Sequence, residues 1–151
     1  MDYEKYMRMA LDEARLALDE GEVPIGCVIA DENGSVIARG RNRCAAEGDP
    51  LRHAETEAIS AACRVRAGER LSGCTLFVTV EPCPMCAGAI MLSRVKTLVY
   101  GAREELTGSC ASVLNLFEER YPNRPAIYSG VLREDCALLM KRFFSELREK
   151  E

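Results

Sequence analysis

Thr75-Leu76-Phe77-Val78-Thr79-Val80-Glu81-Pro82-Cys83-Pro84-Met85-Cys86 is the stretch around which the rest of the chain can be ordered. Its first six residues form a strand-like apolar run, and Glu81-Pro82 ends it. Pro84 suits the first turn of a helix, where a missing N–H costs nothing. Cys83 and Cys86 then stand three apart at a helix N-terminus, on one face. The positive end of the helix dipole favours both thiolates, the form that binds metal. A strand feeding a helix in this way belongs to an open α/β sheet, whose sites lie at the carboxyl ends of the strands.

The chain's single histidine opens His53-Ala54-Glu55. On a helix flank His53 and Glu55, two apart, would diverge. They can share one site only if a metal sits off the helix's N-terminal end, so two helix N-termini are expected to converge there. C-x-x-C by itself is compatible with a redox pair, half of a structural zinc site or two buried thiols. A structural site needs a fourth ligand, and Cys27, Cys44, Cys63, Cys74, Cys110 and Cys136 are scattered singly. One imidazole and two thiolates instead leave a position open on tetrahedral Zn²⁺, as catalytic sites do. Glu55 supplies a carboxylate for which a purely structural site has no use.

Around this centre the periodicity predicts an amphipathic helix over Asp2–Asp19, with Met7, Ala10, Leu11, Ala14 and Leu18 on one face. Ile25–Ala30 and Val36–Asn42 read as strands about an Asn33-Gly34 hairpin turn. A helix from His53 to about Ala67, the strand Thr75–Val80, a helix over Pro84–Arg94 and a strand over Val95–Tyr100 follow. A short helix around Ser112–Arg120 and a short strand at Ala126–Ser129 precede a last helix marked by Cys136, Leu139, Met140, Phe143, Phe144 and Leu147. Residues 1–151 show no linker or repeat and read as one domain with a mixed five-stranded sheet.

Composition narrows the function. No apolar run reaches the roughly 18–20 residues of a membrane span, and Met1–Glu20 is too interrupted by charge for a signal peptide. Eight cysteines in a chain rich in apolar core-forming runs read as a reduced, cytoplasmic protein without a membrane partner. A formal charge of −4 is weakly repulsive to phosphate overall. Arg39, Arg41 and Arg43 share one face at strand spacing while Asn42 points to the other. They read equally as phosphate contacts or as solvated strand-end arginines.

H-x-E followed by P-C-x-x-C is the signature of zinc nucleobase deaminases, and the chain resembles the cytidine deaminase-like superfamily. Within it, Gly21-Glu22-Val23-Pro24-Ile25-Gly26, Gly40-Arg41-Asn42 and Glu81 to Ile90 resemble the bacterial tRNA-specific adenosine deaminases. The resemblance implies a three-layer α/β/α sandwich, a homodimer, and hydrolysis of the wobble adenosine in a tRNA anticodon loop to inosine. It implies one zinc per chain on His53, Cys83 and Cys86, with Glu55 carrying protons. It also implies a base pocket of Asn42, backbone groups of Ala54 and Pro82, a wall of Val23, Pro24 and Ile25, and Glu104. The chain departs from that pattern at Leu51-Arg52, where Thr-Ala is usual, and at Leu106, where a Lys is usual. Pro82-Cys83-Pro84-Met85-Cys86 also resembles guanine deaminases, so a small heterocyclic base (guanine, cytosine, adenine or pterin-like) is the alternative substrate. A zinc-stabilised binding module without catalysis is a third reading, and Glu55 argues against it.

Overall fold

The computed structural model describes residues 1–151. Helix α1 (Tyr3–Asp19) leads into the hairpin of β1 (Gly26–Ala30) and β2 (Val36–Arg41). A single turn, α2 (Cys44–Glu47), precedes α3 (Ala54–Val65), β3 (Thr75–Val80), α4 (Pro84–Leu92) and β4 (Thr97–Ala102). A 3₁₀ turn at Leu116–Glu118, β5 (Ala126–Ser129) and α5 (Arg133–Glu149) complete the chain.

The strands form one sheet in the order β2-β1-β3-β4-β5. β1 runs antiparallel to both β2 and β3, whereas β3, β4 and β5 are parallel. The mixed five-stranded sheet expected from the sequence is therefore present. Each local start has a visible cause. Asp2 caps α1 by accepting from the Lys5 N–H at 3.2 Å. In the hairpin turn Gly34 adopts φ +84°, and Asp31 Oδ1 accepts from the N–H groups of Asn33 and Ser35, each at 2.9 Å.

Two apolar clusters cover the two faces of the sheet. One joins Ala54, Ala58 and Ala62 of α3 and Ile90 of α4 to Leu76, Val78 and Leu98. The other joins Met7 and Leu11 of α1 and Leu139 of α5 to Val28, Phe77 and Val99. The result is three layers, with α3 and α4 side by side on one face. Small residues let the layers come close. A methyl group on Gly40 would overlap the Ala54 carbonyl oxygen and lie 2.7 Å from the Ala58 nitrogen.

Three elements differ from the sequence reading. Residues 44–47 form a helical turn where the sequence reading assigned no element, because the buried Glu22 carboxylate accepts from the N–H groups of Ala45 (2.9 Å) and Ala46 (2.7 Å). β4 begins at Thr97, two residues later than expected, because α4 ends in a Schellman turn. There the Arg94 N–H bonds to Met91 O at 3.0 Å and the Val95 N–H to Ile90 O at 3.3 Å. The expected helix over 112–120 is reduced to the 3₁₀ turn, capped by Asn115.

Gly40→Ala should force α3 off β2 and cost about 1–3 kcal/mol of stability by overpacking. Thermal denaturation checks this, at about 2–4 °C per kcal/mol for a chain of this size.

Candidate active site

His53 is the N-cap of α3 and Cys83 the N-cap of α4, each with extended backbone, and Cys86 lies within the first turn of α4. The two helices rest on one face of the sheet, so their first turns meet beyond the carboxyl end of β3. His53 Nδ1 lies 3.6 Å from Cys83 Sγ and 3.5 Å from Cys86 Sγ. All three donor atoms fall within 4.8 Å of one another. A tetrahedral ion with Zn–S near 2.3 Å and Zn–N near 2.05 Å separates N from S by about 3.6 Å. The donor set fits zinc in both chemistry and spacing.

The protonation chemistry is set locally. A hydrogen bond from Cys86 outweighs burial and, with His53 alongside, holds the Cys83 thiol down at about 4. Cys83 in turn raises the His53 imidazole against its desolvation. Glu55, in the first turn of α3, is only 4% exposed, and burial pushes its carboxyl up to about 7. A carboxyl in that range can act as acid or base near neutrality.

The expected substrate residues are tied by hydrogen bonds to the segments that carry this centre. Asn42, at the end of β2, is 6% exposed, and its Oδ1 accepts from the Ala54 N–H at 2.8 Å. That bond uses the Ala54 donor and leaves Asn42 Nδ2 as the group that can face a ring. The Asn42 N–H bonds to Ile25 O at 3.2 Å, which ties the Val23-Pro24-Ile25 segment to the same corner. Pro82 O already accepts from the Ser109 N–H at 2.9 Å and keeps one lone pair. Glu104 is half-buried; its N–H donates to Glu81 and its carboxylate accepts from the Leu106 N–H at 3.0 Å. Cys110, which the sequence shows only as an isolated cysteine, is buried; burial first, then the charges of Glu81, Glu55 and Cys83, pushes it up to about 12.

Of the arginines expected on one face, Arg39 is exposed without an ion pair, whereas the others are held by carboxylates. Arg41 is clamped by Glu13 of α1 (3.2 Å) and by Glu20 at its C-cap (2.6 Å), and Arg43 pairs with Glu47 (3.0 Å). Arg52 lies between Asp49 (3.1 Å) and Glu57 (3.4 Å), and Arg103 pairs with Glu105 (3.8 Å). Carboxylates on α1 and on the adjoining turns reach them, which strand alternation alone does not reveal.

Sequence reasoning missed Glu81, the residue that organises the far wall. Its carboxylate is 3% exposed and accepts from the N–H groups of Glu104 (3.2 Å), Cys110 (3.1 Å), Ala111 (2.9 Å) and Ser112 (3.0 Å), and from Ser112 Oγ at 2.5 Å. Gly108 lies so close that a Cβ there would overlap this carboxylate. Burial acts to raise the Glu81 carboxyl, but the hydrogen bonds from Ser112, Cys110 and Glu104 outweigh it and hold the group below its ordinary value. A charged residue just before Pro82 in an apolar run was the only signal available.

Residues 1–102 match the cytidine and deoxycytidylate deaminase zinc-binding region, and the chain belongs to that family of deaminases. Within it, the chain is 46% identical to the tRNA-specific adenosine deaminase of Bacillus subtilis (strain 168), covering 98% of this chain and 92% of that one. The structure superposes on a tRNA:A34 deaminase that performs A-to-I editing at the wobble position, with a TM-score of 0.85, 40% identity, and 89% and 98% of the two chains covered. It also resembles the guanine deaminase of Nitrosomonas europaea, with a TM-score of 0.82, 25% identity, and 94% and 84% covered.

The folded-state depression of the Glu81 carboxyl has a consequence for acid stability. Glu81 stabilises the native state at pH above the ordinary carboxylate range, and that contribution is lost as pH falls through the lower folded value. Glu81→Gln should lower Tm at pH 7 and flatten the decline of Tm below about pH 5. A melting series across pH 3–7 for both proteins reads this directly.

Proposed function

We propose that this chain is a zinc-dependent hydrolytic deaminase converting the wobble adenosine of a tRNA anticodon loop to inosine. The observation that carries this reading is the meeting of His53, Cys83 and Cys86 with the buried Glu55, in a chain similar along nearly its whole length to tRNA-specific adenosine deaminases. His53, Cys83 and Cys86 would hold one Zn²⁺ per chain. When bound, the ion supplies Lewis acidity that brings the pKa of water from about 15.7 toward about 7.

Each residue of the chain then has a role that follows from its place. Overall, water replaces the exocyclic amine at C6: a C–O bond forms, the C–N bond breaks and ammonia leaves. Glu55 takes one proton from the attacking water and delivers it to the ring nitrogen, then takes the second from the new hydroxyl and delivers it to the departing amine, which leaves as ammonia. Its burial excludes competing solvent protons. Asn42, fixed through Oδ1 by the Ala54 N–H, offers Nδ2 to the ring edge. Val23, Pro24 and Ile25 wall one side, and Pro82 and Glu104 the other, held by the Glu81-anchored loop. Taking in an extruded base costs a few kcal/mol in a duplex and less in an unpaired loop, which favours an anticodon loop.

The homodimer belongs to the same proposal, and light scattering on the purified protein reads its mass. No helix is long and apolar enough to cross a membrane, and all eight cysteines are free, in keeping with a reduced compartment.

Glu55→Ala should retain zinc while turnover falls by about 10²–10⁴-fold, the usual worth of a positioned acid–base group. Cys83→Ser should lose metal itself. Zinc content measured beside inosine formation on an anticodon stem-loop separates the two. A panel of free bases run in parallel tests the small-heterocycle reading, which turnover of guanine without stem-loop activity would establish instead.

A further inference from the structure

Arg41, Arg43, Arg52 and Arg103 near the active site are ion-paired, but another group of cations is not. At the opposite end of the sheet, where β3, β4 and β5 begin, Arg94, Lys96, Arg124 and Asn123 line a cleft of about 390 Å³. An adjoining cleft of about 300 Å³ shares Arg94 and Asn123 and adds Arg70 and the exposed Tyr121. Neither cleft has an acidic lining residue, and none of the four cations forms an ion pair. Arg124 makes only long contacts, 3.5 Å to the carbonyls of Phe117 and Glu119. In a chain of net charge −4, in which Arg41, Arg43, Arg52 and Arg103 are all paired, four free cations around two joined clefts are a local positive field.

Backbone strain falls at the same place. Arg94 occupies the residue after the C-cap of α4 with φ +59°, the left-handed position that helix C-termini usually give to glycine. The Schellman hydrogen bonds need only a backbone there. A β-substituted cation in this position carries strain that glycine would not, as Ala67 (φ +55°) and Leu132 (φ +52°) also do.

We propose that Arg70, Arg94, Lys96 and Arg124 form a second phosphate-binding surface, separate from the catalytic pocket, that takes backbone phosphates of the RNA substrate. This rests on the proposed RNA substrate. The six residues of β3 place the surface about 20 Å from the metal centre at about 3.3 Å per residue. It therefore grips a part of the RNA remote from the extruded base, and it supplies the electrostatic attraction that the paired arginines at the active site do not. Tyr121, 41% exposed, offers an aromatic ring beside the cations on which an unpaired base can stack.

The test uses the full zinc-loaded protein and a tRNA already carrying inosine at the wobble position, so that binding is read without turnover. Affinity is measured across a salt series for wild type, Arg94→Gly and the double variant Arg94→Gly/Lys96→Gln. Each lost phosphate contact should lower the slope of log affinity against log salt by about 0.7–0.9. The double variant is expected to lose about twice that, with unchanged zinc content and unchanged kcat on saturating adenosine-containing tRNA. Arg94→Gly is expected to bind more weakly yet melt at or above the wild-type Tm, because glycine relieves the left-handed strain. An unchanged slope overturns the proposal, as does a slope loss accompanied by a lower Tm or lost zinc, which would make these residues structural. Competition by inorganic phosphate at constant ionic strength, sensitive to these substitutions while the RNA slope is not, would assign the surface to a small anion instead. Absence of deamination by wild type, with the slope change intact, would remove the proposed reaction and leave the surface standing.

Discussion

The first turns of α3 and α4 meet at one point beyond the carboxyl end of β3, and the functional architecture depends on that meeting. Each helix turns its positive end toward the same small volume, where a thiolate is held low and a carboxyl is buried within a few ångströms. Neither helix alone can build the site, since His53 and Cys83 come from different caps. What fixes their relation is packing: both helices bury alanine-rich faces on one side of the sheet, and Gly40 lets α3 settle against β2 without a side chain between them. The donor spacing that suits zinc is thus a product of interlayer distance. A metal bound there would in turn staple the two helices and couple its own retention to folding.

Two buried glutamates hold the walls in place. Glu22 fastens residues 45 and 46 next to Asn42, and Glu81 fastens the loop from Glu104 to Ser112 on the other side. Both carboxylates are out of water and both accept charge-assisted bonds from backbone N–H groups, which are shorter and stronger than neutral ones. Loops of this length would otherwise sample many conformations. Suspending each segment on a buried anion fixes its conformation.

Charge is partitioned across the molecule in a way composition conceals. Exposed arginines beside the pocket are absorbed by α1 and by neighbouring turns, so the mouth of the site presents little net positive field. Four cations without ion pairs, Arg70, Arg94, Lys96 and Arg124, line clefts where the parallel strands begin. Catalysis and electrostatic capture can then be handled by opposite ends of one sheet, each free of the other's pKa demands.

The sequence by itself determined the chemistry and the order of the elements. Pro84 after an apolar run marks a strand entering a helix, Asn33-Gly34 marks a hairpin, and a single histidine with one C-x-x-C leaves little choice of ligands. These are local signals, written in spacing and turn chemistry. It did not reveal Glu81, Glu22 or the placement of Cys110, because a buried carboxylate and a surface one look alike until the chain closes around them. It left Arg41 open between a phosphate contact and a solvated strand end, because its partners Glu13 and Glu20 lie more than twenty residues earlier. The start of β4 shifted to Thr97 for the same kind of reason: the left-handed turn at Arg94 closes hydrogen bonds within α4 before the strand can pair with β3. Periodicity reports which face of an element is apolar, whereas ion pairs, loop anchors and the meeting of helix ends depend on distances that only tertiary packing sets.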